Sequence, residues 1–145
     1  MFSASLTSTS SSSRRTAVPY ISVQLQPRPT ERQAALLARG ITEAMAEVAH
    51  KRADVTAVRI GGADAVLWSI AGRPCDGVTA YVDVKITAGT NSGNEKATLL
   101  RRLHALLADT LGGLAEASYI VIHEVPGEDW GYAGVTQADR ANGLH

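Results

Sequence analysis

Val18-Pro19-Tyr20-Ile21-Ser22-Val23-Gln24-Leu25 is the stretch of the 145-residue chain on which the rest of the interpretation depends. Its apolar and polar residues alternate, which is the pattern of a strand with one buried face. Inside a chain, Pro19 is a tertiary amide without basicity, whereas at a free amino terminus the same proline is a secondary amine that can carry a proton. The run therefore predicts the first strand of the folded domain, and it predicts a base if Pro19 is the first residue of the mature protein.

The residues before this strand have a different composition. Positions 3–13 hold seven Ser and two Thr, Arg14 and Arg15 follow, and the first acidic residue is Glu31. Such a segment buries too little apolar surface to offset the entropy that is lost on ordering. We therefore expect residues 1–18 to be a disordered extension that reflects a misassigned start or is removed by processing. An organelle transit peptide, also rich in Ser and Arg, is the less favoured alternative.

Val18 suggests a specific form of the misassigned start. Valine is what a translated sequence prints when a GTG start codon is read as an internal codon. Initiation at that codon would put methionine directly before Pro19, and removal of the methionine would expose the amine. We therefore expect codon 18 to be GTG.

The composition of the whole chain limits its partners and its chemistry. Fourteen Lys and Arg balance fourteen Asp and Glu, so no excess charge attracts the chain to nucleic acid or to an anionic membrane. Cys75 is the single cysteine, which excludes an intrachain disulfide and a thiolate cluster for zinc and fits a reducing cytoplasm. The four histidines are scattered without ligand spacing, so we expect no metal. No run approaches the roughly 20 apolar residues that span a bilayer, and a soluble cytoplasmic protein is predicted.

The first half of the chain reads as a strand, a helix and a second strand. Prolines after the first strand end its pairing, and Thr30 with Gln33 three residues later has the spacing of a capping box. Apolar residues then recur every three or four positions over residues 31–49, which predicts one amphipathic helix. Residues 55–60 are short and β-branched, and they predict the second strand.

The second half repeats this order. Residues 80–86 match residues 19–25 at an offset of 61, and a helix is predicted over residues 95–111, followed by a strand at residues 118–122. Trp130-Gly131-Tyr132-Ala133-Gly134 then copies Trp68-Ser69-Ile70-Ala71-Gly72 at an offset of 62. Two strand-helix-strand units in tandem are the strongest structural signal in the sequence.

This repeat predicts an α/β (α+β) fold. A strand joined through a helix to another strand of the same sheet normally makes a right-handed parallel crossover. Two such units, residues 19–78 and 79–140, are expected to form one domain with one four-stranded sheet and two helices on one face, followed by a short tail at 141–145. The chain has no further element to cover the other face, so we expect oligomerisation through it.

Three stretches carry a resemblance to a known family. They are Pro19-Tyr20-Ile21-Ser22-Val23, Val58-Arg59-Ile60 and the strand and turn over residues 119–134. In these the chain resembles the tautomerase superfamily, and specifically the fused relatives of 4-oxalocrotonate tautomerase. The resemblance implies a tautomerase/MIF-like fold, a homotrimer, a small keto or enol acid as substrate and no cofactor.

The resemblance also implies roles for individual residues. Pro19 matches the family's amino-terminal proline, which is its general acid/base. Arg59 matches a substrate-binding arginine on the second strand, although a strand arginine can equally be a solvated charge. Arg28 lies one position before the family's other arginine and is otherwise a loop charge. Trp130 occupies the position of an aromatic residue that lines the pocket, where core packing is an equal alternative.

The second repeat departs from the family pattern, because Ala80 and Tyr119 stand where the proline and the arginine would be. One catalytic site per chain is therefore expected. The leading hypothesis is an isomerase that acts on an enol or unsaturated keto acid. A dehalogenase or decarboxylase of the same superfamily remains open, as does a noncatalytic trimeric scaffold or ligand-binding module in which Pro19 is blocked.

Overall fold

The computed structural model describes residues 18–144, so the expectations for residues 1–17 and for His145 lie outside the described residues. Each repeat consists of a strand, a helix, a strand and a small hairpin. The first contains β1 (Tyr20–Gln26), α1 (Glu31–Glu47), a 3-10 helix (Ala53–Val55), β2 (Ala57–Gly62), β3 (Ser69–Ile70) and β4 (Arg73–Pro74). The second contains β5 (Thr79–Thr87), α2 (Gly93–Leu111), β6 (Tyr119–Val125), β7 (Gly131–Tyr132) and β8 (Val135–Thr136), and α3 (Gln137–Ala141) follows.

The four long strands form one sheet in the order β2-β1-β5-β6. Within each repeat the two strands are parallel, as a helical crossover requires. Between the repeats, β1 and β5 are antiparallel, with Tyr20 opposite Lys85 and Gln26 opposite Thr79. This arrangement confirms the predicted fold of two tandem strand-helix-strand units that share a single sheet.

Both long helices begin at a capping box. Thr30 Oγ1 accepts a hydrogen bond from the Gln33 N–H at 3.0 Å, and Gln33 Oε1 accepts from the Thr30 N–H at 2.9 Å, so α1 begins where the sequence predicts. Ser92 and Glu95 make the same pair of bonds. Because Glu95 is the third residue of that helix, α2 begins two residues before the predicted start.

The core lies between the sheet and the two helices, which pack on the same face. Alternate residues of β1 and β5 are fully buried there against apolar residues of α1 and α2. The buried set includes Ile21, Val23, Leu25, Leu37, Ile41, Met45, Val82, Val84, Ile86, Leu99, Leu103 and Leu107. The predicted layer arrangement is therefore correct. None of the helices found between residues 18 and 144 has the length and apolar character that crossing a bilayer demands.

The other face of the sheet carries polar side chains. Asp83 accepts a hydrogen bond from Lys85 Nζ at 2.8 Å and lies 2.9 Å from Nε2 of His123. Tyr119 is 63% exposed, which is unusual for a tyrosine on a strand. Oligomerisation through this open face stays a prediction.

Each repeat ends in a tight hairpin that explains the repeated sequence at 68–72 and 130–134. Ala71 and Gly72 both have positive φ, as do Ala133 and Gly134. Two consecutive positive φ angles define a type I′ turn, which matches the twist of two antiparallel strands.

Candidate functional site

Pro19 lies directly before β1 and is buried, as is Val18, which is 4% exposed. In the antiparallel pairing of β1 and β5, Tyr20 lies opposite Lys85. Extending this register by two residues puts Val18 opposite Thr87, the last residue of β5. The end of β5 and the segments that contact it therefore lie beside Pro19, and we call this edge of the sheet the Pro19 end.

Trp130 comes from the other repeat and also lies at the Pro19 end. Its indole Nε1 donates a hydrogen bond to Oγ1 of Thr87 at 3.1 Å, and its ring is half-buried. The fold thus brings Pro19 and Trp130 to the same edge, although 111 positions separate them. The function of Trp130 as a pocket wall stays a prediction.

Gln137 is a residue of this edge that the sequence reasoning missed. Its side chain is 3% exposed, and its Oε1 accepts a hydrogen bond from the Val18 N–H at 3.1 Å. Its own backbone N–H donates to the Trp130 carbonyl at 2.9 Å. Cys75 is the counterpart of Gln137 in the first repeat and makes the same backbone bond to Trp68. This difference between the two repeats is the signal that could have identified Gln137.

Lys51 is the second missed residue. It follows α1, it is only 3% exposed, and its Nζ donates to Oγ1 of Thr90 at 2.7 Å. The Thr90 hydroxyl in turn donates to the carbonyl of Thr87 at 2.7 Å, which ties Lys51 to the Pro19 end. A lysine is rarely buried to this degree unless it is held by partners or used for function. In the sequence, the adjacent basic residues at 51–52 between a helix and a strand were the signal that could have identified Lys51.

Two arginines surround the hairpin that follows Trp130. Arg52 Nη1 donates to the Tyr132 hydroxyl at 3.2 Å, and Arg52 also forms an ion pair with Asp54. The hydrogen bond from Arg52 lowers the pKa of the Asp54 carboxyl below its ordinary value. Arg140 lies 3.8 Å over the Tyr132 ring and donates to the Tyr132 carbonyl. The hairpin is therefore held from both sides by cations.

Arg28 lies at the opposite end of β1. Its side chain packs against Gly62, the last residue of β2, and it borders a shallow cavity with Pro29 and Ile60. The seven residues of β1 separate it from Pro19, which at about 3.3 Å per residue is roughly 20 Å. Within one chain, Arg28 and Pro19 are therefore not neighbours.

Arg59 lies on the open face of the sheet. It is exposed and sits opposite Ser22 in the β1–β2 ladder, with its Nη1 at 3.5 Å from the Ser22 hydroxyl. Ser22 is three residues along β1 from Pro19, or about 10 Å. Two of the four residues predicted from the sequence, Pro19 and Trp130, therefore lie at the Pro19 end. The other two do not, because Arg59 is on the open face of the sheet and Arg28 is beyond the far end of β1.

The other end of the sheet, where Ala80 lies, has a cavity. It measures about 620 Å³ and is lined in part by Gln24, Trp68, Tyr81 and Tyr119. Trp68 is the counterpart of Trp130 in the repeat, and Ala80 is the counterpart of Pro19. Within residues 18–144, no three His, Cys, Asp or Glu side chains are grouped as a metal ion would require.

Sequence comparison finds a match to a family model in the second repeat. Residues 81–140 match the family model described as Tautomerase enzyme. No protein of curated function matches the chain in sequence.

The whole chain is similar in fold to solved structures of differently named proteins. F6 fused 4-OT, a wild-type protein described as an asymmetric trimer, is 21% identical with a TM-score of 0.75 over 86% of this chain and 99% of that one. A macrophage migration inhibitory factor homologue from Prochlorococcus marinus is 23% identical with a TM-score of 0.68 over 81% and 97%. N1, of the cis-3-chloroacrylic acid dehalogenase family, is 22% identical with a TM-score of 0.68 over 88% and 92%.

At these identities, the structural likeness establishes the fold. The second repeat thus matches the Tautomerase enzyme model, and the chain as a whole has the fold of the fused 4-OT protein.

Proposed function

We propose that the protein isomerises a small enol or unsaturated keto acid, with the amine of Pro19 as general acid/base, in a form whose first residue is Pro19. We call this form the Pro19-first protein. The observation that carries the proposal is that Pro19 is buried beside the end of β5, where Thr87 accepts a hydrogen bond from Trp130 and is linked through Thr90 to the buried Lys51. We further propose that it works in the cytoplasm.

The residues of the Pro19 end suit a proton transfer near neutral pH. An α-amino group has an ordinary pKa of about 7.7–8.0, and both burial and a nearby cation disfavour its charged form. In the proposed reaction, the Pro19 nitrogen takes the proton of the enol hydroxyl and the resulting ammonium returns a proton to the adjacent carbon, which yields the ketone. Negative charge develops on the oxygen in between, and Lys51 supplies positive charge at that edge.

We propose that the carboxylate of the substrate is held by arginine, with Arg59 and then Arg28 as candidates. Both are remote from Pro19 of the same chain, so in this proposal they serve the site of a neighbouring subunit in a homotrimer. The exposed Tyr119 on the open face supports such an assembly. The fused 4-OT structure with a similar fold is itself a trimer.

The proposal is tested by replacing Pro19 with alanine in a chain that begins at that position. The enol form of phenylpyruvate is a suitable probe because its conjugated double bond absorbs ultraviolet light and disappears on ketonisation. Pro19→Ala replaces a ring-held secondary amine by a more flexible primary amine, and we expect the loss of positioning to lower kcat/KM by about 10²-fold. Pro29→Ala, at the far end of β1, is the matched control and should stay within about twofold. An unchanged rate in Pro19→Ala would reject the mechanism.

A second candidate function is a noncatalytic ligand-binding module in which Pro19 stays an internal amide. The observation that favours it is the hydrogen bond from the Val18 N–H to Gln137, since Val18 and Pro19 are both buried in the longer chain. The intact mass of the native protein separates the two functions. A mass that includes residues before Pro19 supports the binding module, and a mass that begins at Pro19 supports the enzyme.

The fold similarity to N1 supports dehalogenation or decarboxylation as an alternative reaction of this protein. The cis-3-chloroacrylic acid dehalogenase family shares this fold, and dehalogenation or decarboxylation of a three-carbon acid would use the same edge. Release of chloride from cis-3-chloroacrylate by the Pro19-first protein, without ketonisation of the enol probe, would assign the dehalogenase activity instead.

A further inference from the structure

The side-chain amide of Gln137 is buried at the Pro19 end with half of its hydrogen-bonding capacity unused. Its Oε1 accepts from the Val18 N–H at 3.1 Å, whereas its Nε2 has no partner among the described residues. The residue is 3% exposed. A buried amide group without a partner costs about 1–3 kcal/mol, so this site is unusual for a purely structural residue.

The amide also lies close to the Pro19 nitrogen. The backbone nitrogens of Val18 and Pro19 are separated by one residue, which is about 3–3.6 Å by standard bond lengths. Gln137 Oε1, 3.1 Å from the first of them, is therefore within about 7 Å of the second. The backbone N–H of Val18 links the two, because it donates to the amide oxygen and lies one residue before the Pro19 nitrogen.

In the Pro19-first protein, Val18 is absent and the space that it occupies opens. Gln137 Oε1 then loses the N–H donor that it has in the longer chain, so both polar atoms of this buried amide lack a partner among the described residues. A carbonyl or enol group fits between an amide and an amine at such a separation. The buried peptide group of Val18 thus occupies the position of a ligand that hydrogen-bonds to Gln137.

The hairpin itself does not require glutamine at this position. Cys75 makes the corresponding backbone hydrogen bond to Trp68 in the first repeat, also at 2.9 Å, with a side chain that lacks an amide. The amide occurs in the repeat whose hairpin lies beside the proline, and the repeat beside Ala80 lacks it. Of the two hairpins, the one beside the Pro19 amine is therefore the one that carries the side-chain amide.

We propose that Gln137 is a substrate-binding residue of the Pro19 site, with its amide hydrogen-bonded to the oxygen at which the enol and keto forms interconvert. Nε2 donates to this oxygen in the keto, enol and enolate forms, and the hydroxyl proton of the enol is the one that Pro19 takes. The inference rests on the proposed function, because it requires that Pro19 be the first residue. It adds to Lys51 a neutral donor directed at the charge that develops on that oxygen.

The first test replaces Gln137 in the Pro19-first protein. Gln137→Met keeps the length of the side chain and removes the amide, so we expect kcat/KM for the enol of phenylpyruvate to fall about ten- to hundredfold, as for loss of a hydrogen bond to a charged group. The pH at which Pro19 titrates in the rate profile should stay unchanged, because the amide acts on the substrate. Cys75→Met is the matched control in the other hairpin and should stay within about twofold.

A second measurement does not depend on turnover or on the folding of a variant. In the ¹⁵N-labelled Pro19-first protein, the side-chain NH₂ signals of Gln137 should shift when pyruvate, the smallest 2-keto acid, is added, and they should not shift in the chain that retains Val18. A wild-type rate in Gln137→Met, a shift confined to the pH profile, or Gln137 signals that ignore pyruvate would each overturn the inference. If the Pro19-first protein is inactive but pyruvate shifts these signals, the inference stands and the isomerase proposal fails.

Discussion

At the scale of single residues, the chemistry of the Pro19 end depends on side chains from distant parts of the chain. Pro19 could be nominated from its position at the head of a strand, and the repeat showed that Ala80 takes its place in the second half. Lys51 and Gln137 carried weaker signals, a basic pair and a difference from Cys75 in the repeat, because a loop lysine and a helix-terminal glutamine otherwise look like surface residues. Their burial depends on contacts with Thr90 and Val18, which lie 39 and 119 positions away.

Lys51 provides the first residue-scale prediction. Lys51→Met in the Pro19-first protein removes the buried charge while keeping most of the side-chain volume, and we expect kcat/KM to fall by about 10²- to 10³-fold through lost stabilisation of the enolate. Lys96→Met is the control, since Lys96 pairs with Glu124 at the surface and should matter little. A folded Lys51→Met protein, judged by its thermal midpoint, that keeps the full rate would contradict the assignment.

Asp54 provides a prediction about pH. The hydrogen bond from Arg52 lowers the pKa of the Asp54 carboxyl, so the ion pair is present above the ordinary pKa of aspartate and is lost only as the pH falls through the lower folded value. Titration of the Asp54 carboxyl by ¹³C NMR should show this depressed midpoint, and Arg52→Gln should return it to the ordinary range. Tyr132→Phe removes another contact of Arg52 and should leave the midpoint low. An equal midpoint in the wild type and Arg52→Gln would show that the pair does not form in solution.

At the scale of elements, the repeat predicted most of what the structure contains. Strands, helices and the capping box at Thr30 follow from periodicity and spacing, and their boundaries shifted by only a few residues. The two hairpins appeared in the sequence as a repeated motif, but their backbone form did not. The backbone form depends on the positive φ of Ala133. Alanine rarely adopts this conformation, so the sequence does not predict it.

Gly131 provides the element-scale prediction. A Cβ at this position would collide with the Val135 carbonyl and lie 2.7 Å from the Cα of Thr136, both in the opposing strand of the hairpin. Gly131→Ala should therefore force β7 and β8 apart, with a loss of about 1–3 kcal/mol in the free energy of unfolding and at least a tenfold loss of activity, because Trp130 and Gln137 flank the hairpin.

The control for this substitution is Gly93→Ala, at the start of α2, where an added Cβ meets nothing within 4 Å. Alanine is favoured over glycine in a helix, so the free energy of unfolding should stay the same or rise. Urea denaturation of both variants measures the effect. Equal stability of Gly131→Ala and Gly93→Ala would show that the hairpin tolerates the wider spacing.

At the scale of the whole molecule, the sheet order and the layer of helices could be predicted from two strand-helix-strand units and the handedness rule. The sequence could not show which nominated residues share an edge. Arg28 and Pro19 are nine positions apart, yet they lie at opposite ends of β1, whereas Trp130 reaches Pro19 from the other repeat through the antiparallel pairing of β1 with β5. Our proposal that Arg59 and Arg28 bind the carboxylate therefore places them in the site of a neighbouring subunit.

Subunit mixing tests this sharing of residues. If each site combines Pro19 of one chain with Arg59 of the next, then Pro19→Ala and Arg59→Ala proteins are each inactive alone, but refolded together at equal amounts they should recover about a quarter of the wild-type activity, because both positions are intact in one site of four. Sites formed within single chains would always lack one of the two residues, so an absence of recovery would contradict the shared site.

The central claim is that the chemistry requires the free amine of Pro19. The most direct measurement compares the rate of ketonisation of the enol of phenylpyruvate by the Pro19-first protein with that of the chain carrying residues 1–18, with intact mass recorded for both. We predict that the Pro19-first protein is at least about 100-fold faster, since an internal proline has no basic nitrogen. Equal rates, with the extension still present in the longer chain, would contradict the account.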